Sequence, residues 1–304
     1  MVLRYTAVSA LLLIVAEFPV GCAGNFAFPD FSASRTVSLQ GVSNRTRTWL
    51  RLTPSNPGVV GSAWYSTKQS IVGGFRTDFT FRITVDLDPT FPGPCKWVDH
   101  APTSCSRRGG DGFAFVVQNH CSRALGGGGG GVGYSGIQNG IAVEFDTWFD
   151  ADLRDPYENH IAVLTRGRDQ IRSEHGSHLG VSLDIPDLAN GERHDARIEY
   201  VPYLASESTG HSSFQAAPHL AKLVYPSASG QMQGLGSLRV YVDDMINPVL
   251  IVPVNVADFL DLDEGTAWAG FTSSTGVSFQ NHDVLSWAFH EYVSGEAPRS
   301  ITGG

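Results

Sequence analysis

The sequence predicts an all-β fold in which short antiparallel strands form a sandwich or a barrel. The clearest strand lies at residues 75–86, where Phe, Thr, Phe, Phe, Ile and Val alternate with Arg, Asp, Thr, Arg, Thr and Asp. Because successive side chains point to opposite faces of a strand, this segment has one buried and one solvated face. Turn residues, drawn from 34 glycines and 16 prolines, separate many such runs, and helical periodicity is almost absent.

Similar short runs predict the remaining strands. They cover residues 47–53, 62–66, 112–118, 141–147, 160–165, 195–201, 237–243, 249–254, 267–273 and 283–289. One short helix is predicted at Val256 to Leu260, with Asn255 as its N-cap. Three segments are predicted loops, namely 88–110, the six glycines Gly126 to Gly131, and 203–236. No repeat or linker divides the chain, so one domain is expected.

The N-terminus has the pattern of a secretory signal peptide. Arg4 precedes the ten-residue apolar run Ala7 to Ala16, and small residues follow at 21–24. This run is too short to cross a bilayer, and no later apolar run approaches about 18 residues. We therefore expect a secreted protein without a transmembrane segment. Its parts would be a signal peptide at 1–24, one domain at 25–292 with a long insertion around 203–236, and a disordered tail at 293–304.

Signal cleavage near Gly24 leaves three cysteines, Cys95, Cys105 and Cys121. An odd count permits one disulfide and one leftover thiol, and the pairings Cys95–Cys105 and Cys105–Cys121 both stay open. None of the three has the spacing of a zinc site. The triplet Asn44-Arg45-Thr46 is a glycosylation sequon, so the protein is expected to be a glycoprotein.

Composition and charge restrict the partners of the chain. Hydrophobic residues make up 42% of the sequence and charged residues 17%, which excludes a disordered protein. The formal net charge of −9 argues against binding to nucleic acid or to an anionic membrane surface. The same charge is compatible with a bound divalent cation.

Acidic side chains are densest between residues 144 and 160. Glu144 and Asp146 are two positions apart on a predicted strand, so their side chains lie on the same face. Asp150, Asp155 and His160 follow on one loop that can fold back to that face. Carboxylates suit Ca²⁺, and a transition ion such as Mn²⁺ accepts the histidine. Because unpaired acids would repel one another, the pattern predicts a divalent metal site.

Six motifs follow one another over about residues 25–290. The first three are Phe28-Pro-Asp-Phe with Val37-Ser-Leu-Gln-Gly, Leu50-Arg-Leu-Thr with Gly61-Ser-Ala-Trp-Tyr, and Gly110-Asp-Gly-Phe-Ala-Phe. The other three are Val143-Glu-Phe-Asp-Thr-Trp with Asp155-Pro and His160-Ile, Ala269-Gly-Phe-Thr-Ser-Ser-Thr-Gly, and His282-Asp-Val-Leu-Ser-Trp-Ala-Phe. In kind and in order they resemble the legume-type (L-type) lectins of the concanavalin A-like family, and the motif that begins at Val143 is similar to that family's metal-binding signature. The glycine-rich stretch at 124–133 resembles bacterial and protist surface lectins more than seed lectins.

The resemblance implies a two-sheet antiparallel jelly roll that holds Ca²⁺ beside a transition-metal ion, usually Mn²⁺. By position, the transition-metal ligands would be Glu144, Asp146, Asp155 and His160. Calcium would be held by Asp146, Asp155, the backbone carbonyl of Trp148, and Asp150. Asp146 and Asp155 would thus bridge the two ions.

The resemblance also implies a sugar site beside the calcium. Asp111 would accept hydrogen bonds from sugar hydroxyls, Gly130 would allow close approach to its N–H, and the Trp148 ring would cover the apolar face of the sugar. Position 150 is Asp where the family usually has Asn, so an amide donor is missing. Three alternatives stay open: the sugar hydroxyl donates instead, Asn159 or a loop group replaces the donor, or sugar binding is weak. The loop from Val277 to Asn281 corresponds to a specificity loop that is longer in seed lectins, and its Val277 and Ser278 would contact the sugar. The family also implies a cis peptide bond between Gly110 and Asp111.

The predicted function is therefore metal-dependent carbohydrate binding, without enzymatic activity. Glycans or glycoproteins are the expected partners, and a homo-oligomer stays open. One alternative is a glycoside hydrolase of the same fold. Such hydrolases carry the pattern Glu-x-Asp-x-Glu, whereas this chain has Trp148 in place of the second glutamate. A retaining mechanism needs two free carboxyl groups about 5–5.5 Å apart, so the missing glutamate argues against this alternative. The other alternative is a degenerate lectin-like adhesion module that binds no sugar, because of Asp150.

Overall fold

The computed structural model describes residues 25–84, 109–202 and 235–292, and the backbone of 225–226 and 232–233. The described residues contain one α-helix, α1 (Val256–Phe259), and two 3-10 turns, at Gly129–Gly131 and His175–Ser177. The strands in chain order are β1 (Phe26–Phe28), β2 (Val37–Gly41), β3 (Asn44–Arg45), β4 (Leu50–Thr53), β5 (Val60–Tyr65), β6 (Gln69–Ser70), β7 (Phe75–Thr84), β8 (Gly112–Gln118), β9 (Gly140–Asp146), β10 (His160–Thr165), β11 (His178–Ser182), β12 (His194–Val201), β13 (Tyr225–Pro226), β14 (Met232–Gln233), β15 (Ser237–Val242), β16 (Leu250–Pro253), β17 (Thr266–Ser274) and β18 (Asn281–Glu291).

Two eight-stranded antiparallel sheets pack as a sandwich, which confirms the predicted all-β fold. Sheet I has the order β16-β15-β12-β7-β18-β4-β3, with β1 also beside β18. Sheet II has the order β11-β10-β9-β8-β17-β5-β2, with β6 also beside β17. Each predicted strand run overlaps an observed strand, with bounds that differ by up to three residues. Strand β11 arises in a segment without a strand pattern, because its edge position leaves most of its side chains only partly buried.

The alternating residues of the 75–86 segment form a strand with one buried face and one half-buried face, as predicted. Strand β7 lies in sheet I between β12 and β18, and its residues alternate strictly between buried and half-buried. Phe79 and Phe81 face the interior, whereas Asp78 on the other face accepts hydrogen bonds from Arg76 and Arg197. The period of two therefore places the hydrophobic side chains between the sheets.

The main core lies between the two sheets and is rich in aromatic rings. Phe113 and Phe145 stack with ring centroids 4.7 Å apart, and Phe79 meets Phe271 edge to face at 5.0 Å. Trp287 belongs to the same core, packs against Phe271, and is 1% exposed. Such offset and edge contacts add to the gain from burying apolar area.

A second apolar layer covers the outer face of sheet II. It joins Ala142 and Leu164 of the sheet to Val132 and Tyr134 of the connection between β8 and β9. Sheet II is thus buried on both faces at its centre, and β8, β9 and β10 contain only buried residues. The side of β9 that carries Glu144 and Asp146 therefore faces this second layer instead of solvent.

Some predictions concern residues outside the described part of the chain. These are the signal peptide at 1–24, Cys95, Cys105, most of the insertion at 203–236, and the tail at 293–304. Cys121 is a free cysteine whose Sγ accepts a hydrogen bond from the Arg123 N–H, so the Cys105–Cys121 pairing is not formed. No helix of the described residues is long and apolar enough to cross a membrane.

Two local predictions fall inside the described residues. Helix α1 lies where it is predicted, but the Asn255 side chain makes no capping bond to its backbone. That side chain instead accepts a hydrogen bond from the Tyr200 hydroxyl and donates one to Asp258. Asn44 of the sequon lies exposed on β3, and its glycosylation stays a prediction.

Candidate functional site

Strands β9 and β10 bring three metal-binding side chains together. His160 lies directly opposite Asp146 in the ladder between these strands, and Glu144 is two residues before Asp146. Directly opposite residues and residues two apart share one face of a sheet. One ligand atom from each of Glu144, Asp146 and His160 lies within 4.8 Å of the others. All three side chains are buried.

The hydrogen bonds around these residues leave their inward atoms available. The Nδ1 of His160 is 2.7 Å from the Tyr157 carbonyl oxygen, which can only accept, so Nδ1 carries the proton. The lone pair of Nε2 then faces Glu144 Oε2, 3.9 Å away. The Tyr134 hydroxyl donates to Glu144 Oε1 at 2.8 Å. A histidine whose second nitrogen is held by a carbonyl is the usual arrangement at a metal centre.

Burial shifts the ionisation of this cluster strongly. It raises the pKa of Glu144 to about 8, with a hydrogen bond from Tyr134 opposing the shift and Asp155 adding to it. It also raises the pKa of Asp146 well above its usual range, as do the charges of Glu144 and Asp155. Burial lowers the pKa of His160 to about 4, so the imidazole is neutral at pH 7. A neutral imidazole beside buried carboxyls fits a divalent transition ion.

The loop after β9 contains the other predicted calcium ligands. The Trp148 N–H donates to Asp146 Oδ1 at 2.7 Å, and the Asp150 N–H donates to Asp155 Oδ2 at 2.7 Å. Asp150 Oδ1 accepts from the N–H of Asp152 at 2.9 Å. Asp150 and Asp155 do not join the group of three within 4.8 Å. Calcium binding by Asp150, Asp155 and the Trp148 carbonyl therefore stays a prediction.

Asp111 is held by its backbone and leaves one carboxylate oxygen free. The peptide bond between Gly110 and Asp111 is cis, as the resemblance predicts. The Asp111 N–H donates to the Ser274 carbonyl at 3.1 Å, and its own carbonyl accepts from the Thr147 N–H at 3.0 Å. Asp111 Oδ2 is buried and has no hydrogen-bond partner among the described residues. Burial, together with the charges of Asp150 and Asp155, raises the pKa of Asp111 to about 7.

Close packing joins the other predicted sugar-binding residues to this end of the sandwich. A side chain at Gly110 would lie 3.0 Å from the Cβ of Trp148, so the absence of a side chain there makes room for the tryptophan. A side chain at Gly130 would lie 2.9 Å from Asp150 Oδ2, so any larger residue there would require the Asp150 side chain to shift. Of the loop residues, Val277 is 83% exposed, and the Ser278 carbonyl accepts from the Gly276 N–H.

Three buried residues of the site are not identifiable from the sequence as functional. Tyr134 donates to Glu144, although it lies in an irregular segment after the glycine run. The Thr147 hydroxyl donates to Gln280 Oε1 at 2.9 Å and so connects the metal-binding strand to the beginning of β18. The only sequence signal for Thr147 is its place within the Glu-Phe-Asp-Thr-Trp segment, and that for Gln280 is its place within the loop from Val277 to Asn281, whereas Tyr134 carries none.

Comparison with known proteins gives consistent matches over nearly the whole chain. The family described as "Legume lectin domain" matches residues 23–302. Lectins of Lens culinaris subsp. orientalis and of Pisum sativum are each 27% identical over 310 residues, which cover 94% of this chain and 90% of each relative.

Solved structures share the fold. The lectin from Bauhinia forficata in complex with GalNAc has a TM-score of 0.57 and 20% identity, covering 88% of this chain and 96% of that one. The exoplasmic/lumenal domain of VIP36, in a Ca²⁺/Man3GlcNAc-bound form, has a TM-score of 0.55 and 15% identity, covering 87% of this chain and 89% of that one. At these identities the likeness concerns the architecture of the sandwich.

Proposed function

Since the chain belongs to the legume lectin domain family, and is thereby a legume-type carbohydrate-binding protein, we propose that it binds glycans at a metal-dependent site around Asp111. The observation that carries this proposal is the free carboxylate oxygen of Asp111. A buried acceptor without a partner costs roughly 1–3 kcal/mol, so it persists where a ligand can satisfy it. Vicinal hydroxyls of a sugar supply two donors of suitable geometry.

The proposed roles follow from what each side chain touches. Asp111 accepts hydrogen bonds from sugar hydroxyls, and its backbone bonds to Ser274 and Thr147 keep the carboxylate in place. The Trp148 ring, packed against Gly110, offers an apolar surface to the C–H face of a pyranose. Gly130 allows the ligand to approach the backbone closely. Asp150 lies next to Gly130 and, as a carboxylate, supplies no hydrogen-bond donor to the sugar.

The metal requirement is supported by the composition of the cluster. Glu144, Asp146 and His160 would hold a transition ion such as Mn²⁺, and Asp150, Asp155 and the Trp148 carbonyl would contribute to a Ca²⁺ site. Bound cations would neutralise these carboxylates and give the loop after β9 a single shape. The raised pKa values of Glu144 and Asp155, the latter about 6, reflect burial that a cation would offset.

We further propose that the protein is not an enzyme. The relatives named above are lectins, which bind carbohydrate without transforming it. Two free carboxyl groups are required for glycoside hydrolysis. Here Trp148 stands where the third acid of the hydrolase pattern would lie, and its N–H is bonded to Asp146. Release of reducing ends from labelled oligosaccharides would overturn this part of the proposal.

A glycan array tests the binding proposal. The protein is applied with Ca²⁺ and Mn²⁺, and again after EDTA treatment, alongside the variants Asp111→Asn and Asp169→Asn. Asp169 is an exposed aspartate away from the site and serves as the matched control. We expect binding that EDTA and Asp111→Asn abolish and that Asp169→Asn leaves unchanged. Equal binding by wild type and Asp111→Asn would contradict the site, and the degenerate adhesion module predicts no glycan binding at all.

Secretion is proposed on the apolar N-terminal segment and stays separate from the binding site. Expression in a secretory host, followed by N-terminal sequencing of the protein in the medium, is expected to yield a chain that begins near Asn25. Retention of the uncleaved chain inside the cells would contradict the proposal. Sedimentation of the secreted protein would show whether it forms a homo-oligomer.

A further inference from the structure

A row of charged side chains crosses the outer face of sheet I. Asp283 of β18 lies opposite Arg51 of β4 on one side and opposite Arg82 of β7 on the other. Directly opposite residues share one face of a sheet. The neighbouring residues Val284 and Phe81 belong to the core between the sheets, so the row points away from that core.

A third arginine, Arg193, extends the row beyond β7. It precedes β12, whose first residue His194 lies opposite Phe81 of β7. Because the two strands are antiparallel, the residue before His194 comes next to Arg82, the residue after Phe81. Arg193 is exposed. Neighbouring strands lie about 4.8 Å apart, so the row from Arg51 to Arg193 is about 14 Å long.

The aspartate of the row is engaged by one arginine only. The Asp283 side chain is fully buried, and its carboxylate accepts two hydrogen bonds from Arg51, at 2.8 and 2.9 Å. Arg82 Nη2 is 3.8 Å from the same carboxylate, beyond hydrogen-bond distance. Arg193 has no ion-pair partner in the part of the chain that the structure describes. The row therefore has an excess of positive charge, although the formal net charge of the chain is −9.

Two buried hydrogen-bond donors beside the row lack an acceptor. They are Arg82 Nε and the indole Nε1 of Trp49, neither of which has a partner among the described residues. The Arg82 guanidinium lies over the Trp49 ring, with Cζ 5.9 Å from the ring centroid, so the two donors belong to neighbouring side chains. Trp49 is two positions before Arg51 and shares its face of the sheet. A buried donor without an acceptor is unfavourable, and an anionic ligand would supply the acceptor.

The donors and the length of the row together select a type of ligand. A sulfate ester presents three oxygens in different directions, whereas the two oxygens of a carboxylate lie in one plane. Sulfate can therefore meet donors that come from different strands, including the planar fork of a guanidinium. A row of about 14 Å suits a polymer that carries several such groups. The negative net charge of the protein repels a densely charged polymer such as nucleic acid more than a sparsely sulfated one.

We propose that Arg82, Trp49 and Arg193, beside the Arg51–Asp283 pair, bind the sulfate esters of a sulfated polysaccharide. Arg82 is the central contact, because its guanidinium lies between the ion pair and the Trp49 ring. The site shares no residue with the metal cluster or with the site around Asp111, so the inference does not depend on the proposed function.

Calorimetric titration with sparsely sulfated dextran tests the inference. The same titration is made with unsulfated dextran, carboxymethyl dextran and single-stranded DNA. Wild type and Asp111→Asn are compared, because dextran is itself a candidate ligand of the sugar site. On Asp111→Asn we expect the sulfated dextran to bind at least about tenfold more tightly than the other three polymers. Wild type should bind the sulfated dextran at least as tightly as this variant.

Charge-matched variants separate a specific site from general attraction between opposite charges. Arg82→Gln should weaken binding of the sulfated dextran at least about tenfold, and Arg193→Gln about threefold. Arg82→Lys keeps the charge but lacks the guanidinium fork, so we expect it to weaken binding about fivefold. Arg168 is exposed after β10 in sheet II, and Arg168→Gln, the matched control, should stay within about twofold of wild type. Thermal unfolding of each variant checks that it is folded.

Several outcomes would overturn the sulfate site. One is unchanged binding in folded Arg82→Gln and Arg193→Gln, and another is an equal loss in Arg168→Gln, which would indicate general electrostatic attraction. Full retention of binding by Arg82→Lys would also contradict the role of the guanidinium fork. Equal affinity of Asp111→Asn for carboxymethyl dextran or DNA overturns the choice of sulfate. Loss of sulfated-dextran binding in Asp111→Asn would assign that binding to the sugar site instead.

Discussion

Replacing Glu144 by glutamine should stabilise the metal-free protein at pH 8 while weakening its hold on a transition ion. Glu144 is 3% exposed, and burial raises the pKa of its carboxyl from 4.5 to about 8. Glutamine has the same shape, so its amide oxygen can still accept from Tyr134, while its NH₂ faces the lone pair of His160 Nε2. The substitution therefore removes a charge and little else.

Proton linkage determines whether the free energy of unfolding of the metal-free protein rises or falls with pH. Because the pKa of Glu144 is raised in the folded state, the native protein holds this proton more tightly than the unfolded chain does. The stabilisation is complete below about pH 4.5 and is lost as the pH rises through about 8. One carboxyl changes the free energy of unfolding by up to about 1.4 kcal/mol per pH unit, which sets an upper bound of about 5 kcal/mol over this window. Water entry and relaxation reduce that bound, so we expect Glu144→Gln to retain about 2 kcal/mol or more that wild type loses.

Urea unfolding followed by tryptophan fluorescence, in EDTA at pH 5, 6.5 and 8, measures the effect. Asp152→Asn is the matched control, because Asp152 is an exposed acid of the neighbouring loop. It should follow wild type within about 0.5 kcal/mol at each pH. With Ca²⁺ and Mn²⁺ added, wild type should gain more stability than Glu144→Gln. The reasoning is refuted if Glu144→Gln loses as much unfolding free energy between pH 5 and 8 as wild type does.

Three further predictions concern single side chains. His160→Gln should lower the affinity for a transition ion at least about tenfold, as measured by elemental analysis after dialysis, and an unchanged metal content would count against His160 as a ligand. Asp150→Asn should relieve the charge repulsion on Asp111 and restore an amide donor, so we expect the affinity for monosaccharides to rise up to about tenfold. Weaker binding would mean that the Asp150 carboxylate itself accepts a hydrogen bond from the sugar. Trp287→Ala should lower the free energy of unfolding, measured in urea, by about 3–5 kcal/mol, because the ring is 1% exposed and its N–H donates to the Thr77 hydroxyl. A loss below about 1 kcal/mol would contradict this packing.

Local sequence pattern was sufficient for most of the strands and for naming the acids and the histidine from which the metal cluster is drawn. Alternation is a property of neighbouring residues, so β7 and the closing strands could be located without knowledge of their partners. Glu144 and Asp146 share a face for the same reason. The resemblance of ordered motifs to a known family then related these segments to the sandwich, to Asp111 and to its cis peptide bond.

The sequence-based predictions failed or were incomplete where a feature depends on contacts between residues that are distant in the sequence. The sequence of the glycine run indicates a loop, but not that Gly126 and Gly127 would bond to Gly133 and Ser135 and hold Tyr134 over sheet II. Strand β11 has no alternation, because an edge strand with partly buried side chains does not require one. The cap predicted at Asn255 is absent, because Tyr200 and Asp258 engage its side chain instead.

The sequence by itself determined the class of fold, the positions of most strands, and the acids and histidine available for a metal, since these depend on residues within one or two positions of each other. Only the tertiary structure decided which of those acids meet, that Tyr134 and Thr147 support the site, and that Arg82 lies over Trp49. Gly276 reaches Asp111, and Gly58 reaches Gly276, across separations of well over a hundred residues. Such contacts depend on how the two sheets and their loops close around the cores, and no run of neighbouring residues encodes that closure.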